Sequence, residues 1–149
     1  MPGVDAPTKD GAPAVHGLSH LTFIARDLER MARFMCQGLG ATQVYASDGR
    51  EHSIAPERFF ELAGLWIVAM QGEPPAERSY QHAAFQVDPE DLPRHRARLE
   101  AIGVEVSEGR WRIEGEGMSL YFHDFDNHLF ELHTGSLALR LECYRNART

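Results

Sequence analysis

One pattern in this chain recurs in order, and neither copy is long enough to bury a core by itself. His20 and Phe23 fall on His82 and Phe85, 62 residues later; Leu28 falls on Leu92, 64 later; and Gly40 falls on Gly103, 63 later. Around these points the same order of elements is predicted twice. A strand over residues 16–26 alternates Leu18, His20, Thr22 and Ile24 with Ser19, Leu21, Phe23 and Ala25, which suits a strand covered at least partly on both faces. Asp27 is a helix N-cap, Leu28, Met31, Ala32 and Met35 recur at helical spacing, and Gly38 and Gly40 stop the helix. Strands follow over 42–47, 58–62 and 65–71, then a Pro-containing linker over 72–78. The second copy has a strand over 79–87, a helix opened by Asp88 or Pro89 and ended by Gly103, and strands over 104–107, 119–123 and 129–133. A helix follows over 136–145. The expectation is an α+β chain of two tandem βαβββ modules, about 16–72 and 79–149, behind a disordered extension at 1–15 rich in Pro, Gly and Ala. The modules must pair, within the chain or across a dimer.

The stretch Asp124–Gly135 carries the chemistry. A turn cluster of Asp124, Asp126 and Asn127 precedes Leu129–His133, where strand alternation sends Phe130 and Leu132 to one face and Leu129, Glu131 and His133 to the other. A charged glutamate in mid-strand is costly unless solvated, paired or metal-bound. His20 and His82 occupy equivalent first strands, so with Glu131 they form two imidazoles and a carboxylate lining one cup. That set suits a divalent first-row metal such as Mn²⁺, Fe²⁺ or Zn²⁺. The other histidines (His16, His52, His95, His123 and His128) lack this symmetry and read as structural, while His133 stands between a supporting role and simple packing. Phe59-Phe60-Glu61-Leu62 imitates Leu129–Leu132, but it is the third strand of its module. The true counterpart of Glu131 falls in the apolar run 67–70, which leaves Glu61 at the surface.

A formal charge of −7 argues against nucleic acid or an anionic membrane as partner. It leaves room for a small anion in a local basic pocket. Cys36 and Cys143 are far apart and form no motif, and no signal peptide or apolar span is evident, so a cytoplasmic protein with free thiols is expected.

Paired βαβββ modules with a histidine on each first strand and a terminal Phe-Glu-Leu-His resemble the vicinal oxygen chelate (glyoxalase) superfamily. Within it the chain is most similar to the fosfomycin resistance enzymes, over Gly17 to about Arg145. The signs are Gly-Leu-Ser-His-Leu-Thr at 17–22, Arg-Asp-Leu-Glu-Arg at 26–30, Leu-Trp at 65–66, Glu-Gly-Met-Ser-Leu-Tyr-Phe at 116–122 and Asn-His-Leu-Phe-Glu-Leu-His-Thr-Gly at 127–135. Among those enzymes it looks most like the FosX type, which adds water to the epoxide. The resemblance implies a cupped sheet around Mn²⁺ held by His20, His82 and Glu131, in a homodimer whose active sites are shared between chains. It implies that Thr22 lies near the epoxide, that Ser119, Tyr121 and Arg140 hold the phosphonate of fosfomycin, and that Glu57 is the general base. In the glutathione-dependent relatives a Lys- and Ser-containing loop binds K⁺ and the phosphonate. Here that loop reads Arg110-Trp111-Arg112-Ile113-Glu114-Gly115, with Trp111 and Gly115 at the lysine and serine positions. The alternatives are a glutathione or bacillithiol transferase on fosfomycin, an extradiol-type dioxygenase using Fe²⁺, and a drug-binding protein without chemistry.

Overall fold

The computed structural model describes residues 11–50 and 52–147. Most of the expected N-terminal extension, residues 1–10, lies outside the described residues, and residues 11–15 are exposed and join no strand. The strands form two sheets of four that repeat one topology, β1-β4-β3-β2 and β5-β8-β7-β6. The first contains β1 (His20–Ala25), β2 (Thr42–Ala46), β3 (Glu57–Leu62) and β4 (Leu65–Gln71). The second contains β5 (His82–Gln86), β6 (Val106–Ser107), β7 (Ser119–His123) and β8 (Leu129–His133). In each sheet the first strand runs parallel to the fourth and the others are antiparallel.

Helix α1 (Leu28–Arg33) starts where Asp27 accepts the Arg30 amide at 3.1 Å. It then widens to i→i+5 bonding over Phe34–Gly38, which turns Phe34 and Met35 fully inward. Helix α2 (Leu92–Ala101) follows a 3₁₀ turn at Pro89–Asp91. The two helices meet at Gly38, where a Cβ would lie 3.1 Å from Ile102 Cδ1 and 3.2 Å from Leu99 Cδ2, so a larger residue would have to push these side chains aside. A short tail helix, α3 (Leu137–Asn146), is capped by Ser136, whose hydroxyl accepts the Leu139 amide.

One core serves both modules. Phe23 of β1 packs on Phe130 of β8 at 5.1 Å between ring centroids, and Phe34 packs on Phe130 at 5.2 Å and on Phe122 at 6.1 Å. With Phe60, Ile67 and Ala69 these rings take the inward face of both sheets. The outward faces form two cups. The β1 strand is more open than its sequence suggests: among the described residues His20 and Thr22 are both exposed.

A polar clamp ties the second module to the first. The β7–β8 turn folds on Asp124, which accepts the amides of Asp126 (2.8 Å) and His128 (2.9 Å) and the His128 ring (2.7 Å). This presents Asp126, only 3% exposed, to the Arg26 amide and to the Arg30 guanidinium at 3.1 Å. Asp126→Ala removes the acceptor of the Arg26 amide and of the part-exposed Arg30 guanidinium, which keeps the Phe125 carbonyl, and should cost about 1–2 kcal/mol, lowering Tm by roughly 5 °C. A thermal melt checks this; a shift of a degree or two would reduce the clamp to a surface contact.

Candidate metal centre

Strand register decides what shares each cup. In the first sheet, β1 pairs His20 with Trp66 and Thr22 with Val68, while β3 pairs Phe59 with Val68 and Glu57 with Met70. His20, Thr22, Phe59 and Glu57 therefore share the outward face. In the second sheet, β5 pairs His82 with Leu129, and β7 pairs Tyr121 with Glu131 and Ser119 with His133. His82, Glu131, His133, Tyr121 and Ser119 share its outward face. The position equivalent to Glu131 is Val68, 3% exposed and apolar as the sequence implied.

Glu131 is buried, at 5% exposure, and receives hydrogen bonds from several sides. Its Oε1 accepts from Ser119 Oγ at 2.6 Å and Arg112 Nη2 at 3.0 Å, and its Oε2 lies 3.0 Å from His82 Nε2. Burial alone would raise its carboxyl pKa; the bonds from Ser119 and Tyr121 and the charge of Arg112 outweigh it, and the net shift is downward.

The hydrogen-bond pattern assigns the tautomers. His82 Nδ1 is 2.6 Å from the Tyr80 carbonyl, an acceptor only, so Nδ1 carries the proton. In the neutral ring Nε2 then offers a lone pair toward a carboxylate oxygen, and two acceptors at 3.0 Å repel unless a cation lies between them. A proton can fill that role, and so can a metal ion. A carbonyl-anchored imidazole beside a carboxylate is the donor set a divalent metal takes, so these residues fit one. Beyond Glu131 the donors also run one way. The Ser119 hydroxyl is given to Glu131, so His133 Nδ1–H donates to Ser119 at 2.7 Å, and His133 Nε2 accepts from Arg140 Nη2 at 3.3 Å. His133 thus links Arg140 to Ser119 as a neutral ring. Burial lowers its pKa first, helped by the charges of Arg112 and Arg140.

Of the three predicted ligands, the single chain joins His82 and Glu131. His20 lies on the first sheet, exposed, with its ring 4.4 Å from that of Trp66 and Nδ1 3.0 Å from Ser19 Oγ. Among the described residues of one chain, no three His, Cys, Asp or Glu side chains come together as a metal site. Thr22 and His82 both line a groove of about 300 Å³ between β1 and β5. Glu57 opens β3 rather than sitting in a loop, at 8% exposure, with its backbone paired to Ser47. Its carboxylate enters no hydrogen bond or ion pair among the described residues.

Sequence reasoning missed Glu116 and left Arg112 without a place. Glu116 is 1% exposed and gathers Arg110, Arg112 (3.2 Å), Arg140 Nε (3.2 Å) and the Tyr144 hydroxyl (3.2 Å). The Arg110 hydrogen bond is the largest influence on its carboxyl, whose pKa is held down to about 2. Arg112 reaches from this carboxylate to the Tyr121 hydroxyl (2.9 Å) and Glu131. Tyr121 is pushed to a higher pKa by burial, by its contact with Tyr80 and by the charge of Glu131. The only signal was a cluster of charges in a Gly-rich stretch, which more often marks a solvated loop.

Fold and site together define a class. The chain belongs to the glyoxalase/bleomycin resistance protein/dioxygenase superfamily, whose family model matches residues 17–132. Within it the similarity narrows to one kind of protein. The fosfomycin resistance protein FosX of Mesorhizobium japonicum is 50% identical over 85% of this chain and 91% of its own length. FosX of Listeria monocytogenes is 44% identical over 87% of this chain and 98% of its own. A crystal structure of a Glu-to-Gln variant of the Listeria protein, complexed with Mn(II) and 1S,2S-dihydroxypropylphosphonic acid, matches with a TM-score of 0.80 at 44% identity, covering 88% of this chain and 99% of that one.

Proposed function

We propose that this protein is a Mn²⁺-dependent epoxide hydrolase that adds water to C1 of fosfomycin, giving the diol and conferring fosfomycin resistance. The observation that carries the reading is the pair of facing acceptors, His82 Nε2 and Glu131 Oε2, set within a collar of guanidiniums. A cation belongs between the acceptors and an anion against the collar. The diol bound by the Listeria relative is the compound that hydration of the fosfomycin epoxide yields.

His82 and Glu131 hold the metal, with His20 of a second copy completing the set. Bound there, Mn²⁺ supplies a Lewis acid that polarises the epoxide oxygen. Arg140, Tyr121 and Ser119 line the phosphonate side, where forked guanidinium donors suit a dianion. Thr22 reaches the epoxide from the first cup. Glu57 takes a proton from the attacking water as the new O–C1 bond forms and the C1–O epoxide bond breaks. The released oxygen gains a proton from solvent, Glu57 returns its own to solvent, and C1 is inverted. Burial of Glu57 beside Phe59 and Met70 excludes competing water from the base.

The reading requires two copies, with the first cup of one facing the second cup of the other. Exposed His20, Thr22 and Trp66 support that pairing. So does α3, which leaves Leu137, Leu139, Leu141 and Tyr144 exposed. A cytoplasmic setting agrees with Cys36 and Cys143 being free and with no described helix being long and apolar enough to cross a membrane.

Thiol transfer is disfavoured by the loop. Gly115 has φ +85°, and a Cβ there would lie 3.0 Å from Cys143 Sγ, so a serine in its place is strained. Phosphorus NMR of fosfomycin with Mn²⁺-loaded protein, with and without glutathione, decides. Equal diol in both samples is expected. Product only with thiol would make it a transferase, and no product despite bound metal would send the site to another substrate.

A further inference from the structure

Arg112 is committed to both carboxylates of the second cup at once. Its Nη2 donates to Glu131 Oε1 and Tyr121, its Nη1 donates to Glu116, and its side chain is 10% exposed. One donor is left over: Arg112 Nε is buried and has no acceptor among the described residues. Arg140 Nε, also buried, is close to Glu116 but is likewise without a hydrogen bond. Buried N–H groups are rarely left in this state. One such donor, beside a second that only the ion pair with Glu116 engages, marks a place where an acceptor-rich ligand fits. The charge count agrees, since Arg110, Arg112 and Arg140 face Glu116 and Glu131 with one positive charge in excess.

We propose that Arg112 couples metal binding to anion binding; this rests on the reading above and adds an order to it. With no anion present, the guanidinium neutralises Glu131 and weakens it as a ligand for a cation. An arriving phosphonate offers Arg112 a better acceptor set, draws it from Glu131 and frees the carboxylate for the metal. Glu116 tethers the guanidinium within reach of both positions. Because binding free energies are linked, the anion tightens the metal and the metal tightens the anion by one and the same factor. Arg112 is in this sense a positioning residue for Glu131 as well as a contact for the phosphonate.

The test measures metal affinity rather than turnover. Mn²⁺ is titrated into the full-length protein and free Mn²⁺ is followed by electron paramagnetic resonance, with and without methylphosphonate, which has no epoxide to open. In the wild type, methylphosphonate should tighten Mn²⁺ on the order of tenfold. Arg112→Leu should bind Mn²⁺ on the order of tenfold more tightly without anion and should lose most of the response to methylphosphonate. Arg112→Lys, which keeps the charge, should stay near the wild type in the anion-free titration. If the leucine variant does not fold, Arg112→Gln preserves hydrogen bonding and gives the same reading. A folded neutral variant whose anion-free affinity equals or falls below that of the wild type overturns the coupling, as does a wild type indifferent to methylphosphonate. A wild type that binds no Mn²⁺ overturns both the coupling and the function it rests on. Normal hydration by a wild type with no such linkage overturns the coupling alone.

Discussion

Glu131→Ala should abolish Mn²⁺ binding and fosfomycin hydration together. Ser119 and Arg112 donate hydrogen bonds to this carboxylate and His82 Nε2 faces it at 3.0 Å, and among the described residues the site has no other anion able to face His82. Removing it raises the excess charge of the cup from one to two, which repels a divalent cation as well as depriving it of a ligand. Loss of a supporting residue around a metal typically weakens it by about 10–100-fold, so loss of the ligand itself should exceed about 100-fold. The variant also leaves the buried Arg112 guanidinium one acceptor short, though still paired with Glu116 and Tyr121, which destabilises the fold by about 1–2 kcal/mol. Glu131→Gln separates the two effects, because it keeps an oxygen for Ser119 while removing the charge. Calorimetric titration with Mn²⁺, beside a thermal melt, reads both. Metal affinity within a few-fold of wild type in a folded Glu131→Gln protein would remove Glu131 from the metal site.

Glu57→Gln should leave metal and substrate binding in place and stop the chemistry. The substitution is nearly isosteric and sits at 8% exposure, and the native carboxylate has no hydrogen bond or ion pair among the described residues for the amide to disturb. General-base catalysis contributes about 10²–10⁴-fold, so turnover should fall by that factor with KM little changed. Phosphorus NMR gives the rate, and Mn²⁺ titration shows whether the other half of the site is intact. Turnover within a few-fold of wild type would show that another group activates the water.

The repeat was the most legible feature of the sequence, because alternation along strands and glycines at helix ends are local signals. Strands Leu65–Gln71, Ser119–His123 and Leu129–His133 came out with the expected bounds, and the apolar counterpart of Glu131 resolved to Val68. Edges were less legible. The strand expected at 79–87 begins only at His82, because Tyr80 and Gln81 bond to their own neighbours and not to β8. Glu57, a residue after proline that on pattern alone reads as exposed loop, is buried because β4 extends to Gln71 and pairs Met70 with it. Arg112 and Glu116 were the least legible. Their meaning arises from a contact network among a loop, two strands and α3, and no periodicity encodes such a network. The same holds for His133, whose role follows from proton positions once Ser119 and Arg140 are placed.

The matched registers of the two sheets have a consequence for how such a site could arise. Glu57 pairs with Met70 at the rung where Ser119 pairs with His133, and Val68 stands on the rung of Glu131. One scaffold, used twice, has thus been given unlike equipment: the second copy carries His82, Glu131 and the arginines around them, and the first carries His20 and Glu57. A duplicated gene can specialise its halves in this way by substitutions at outward-facing strand positions alone, without disturbing the aromatic core behind them. Changes of reaction within this architecture then require no new fold, only a redistribution of side chains between the outward surfaces of two matched sheets.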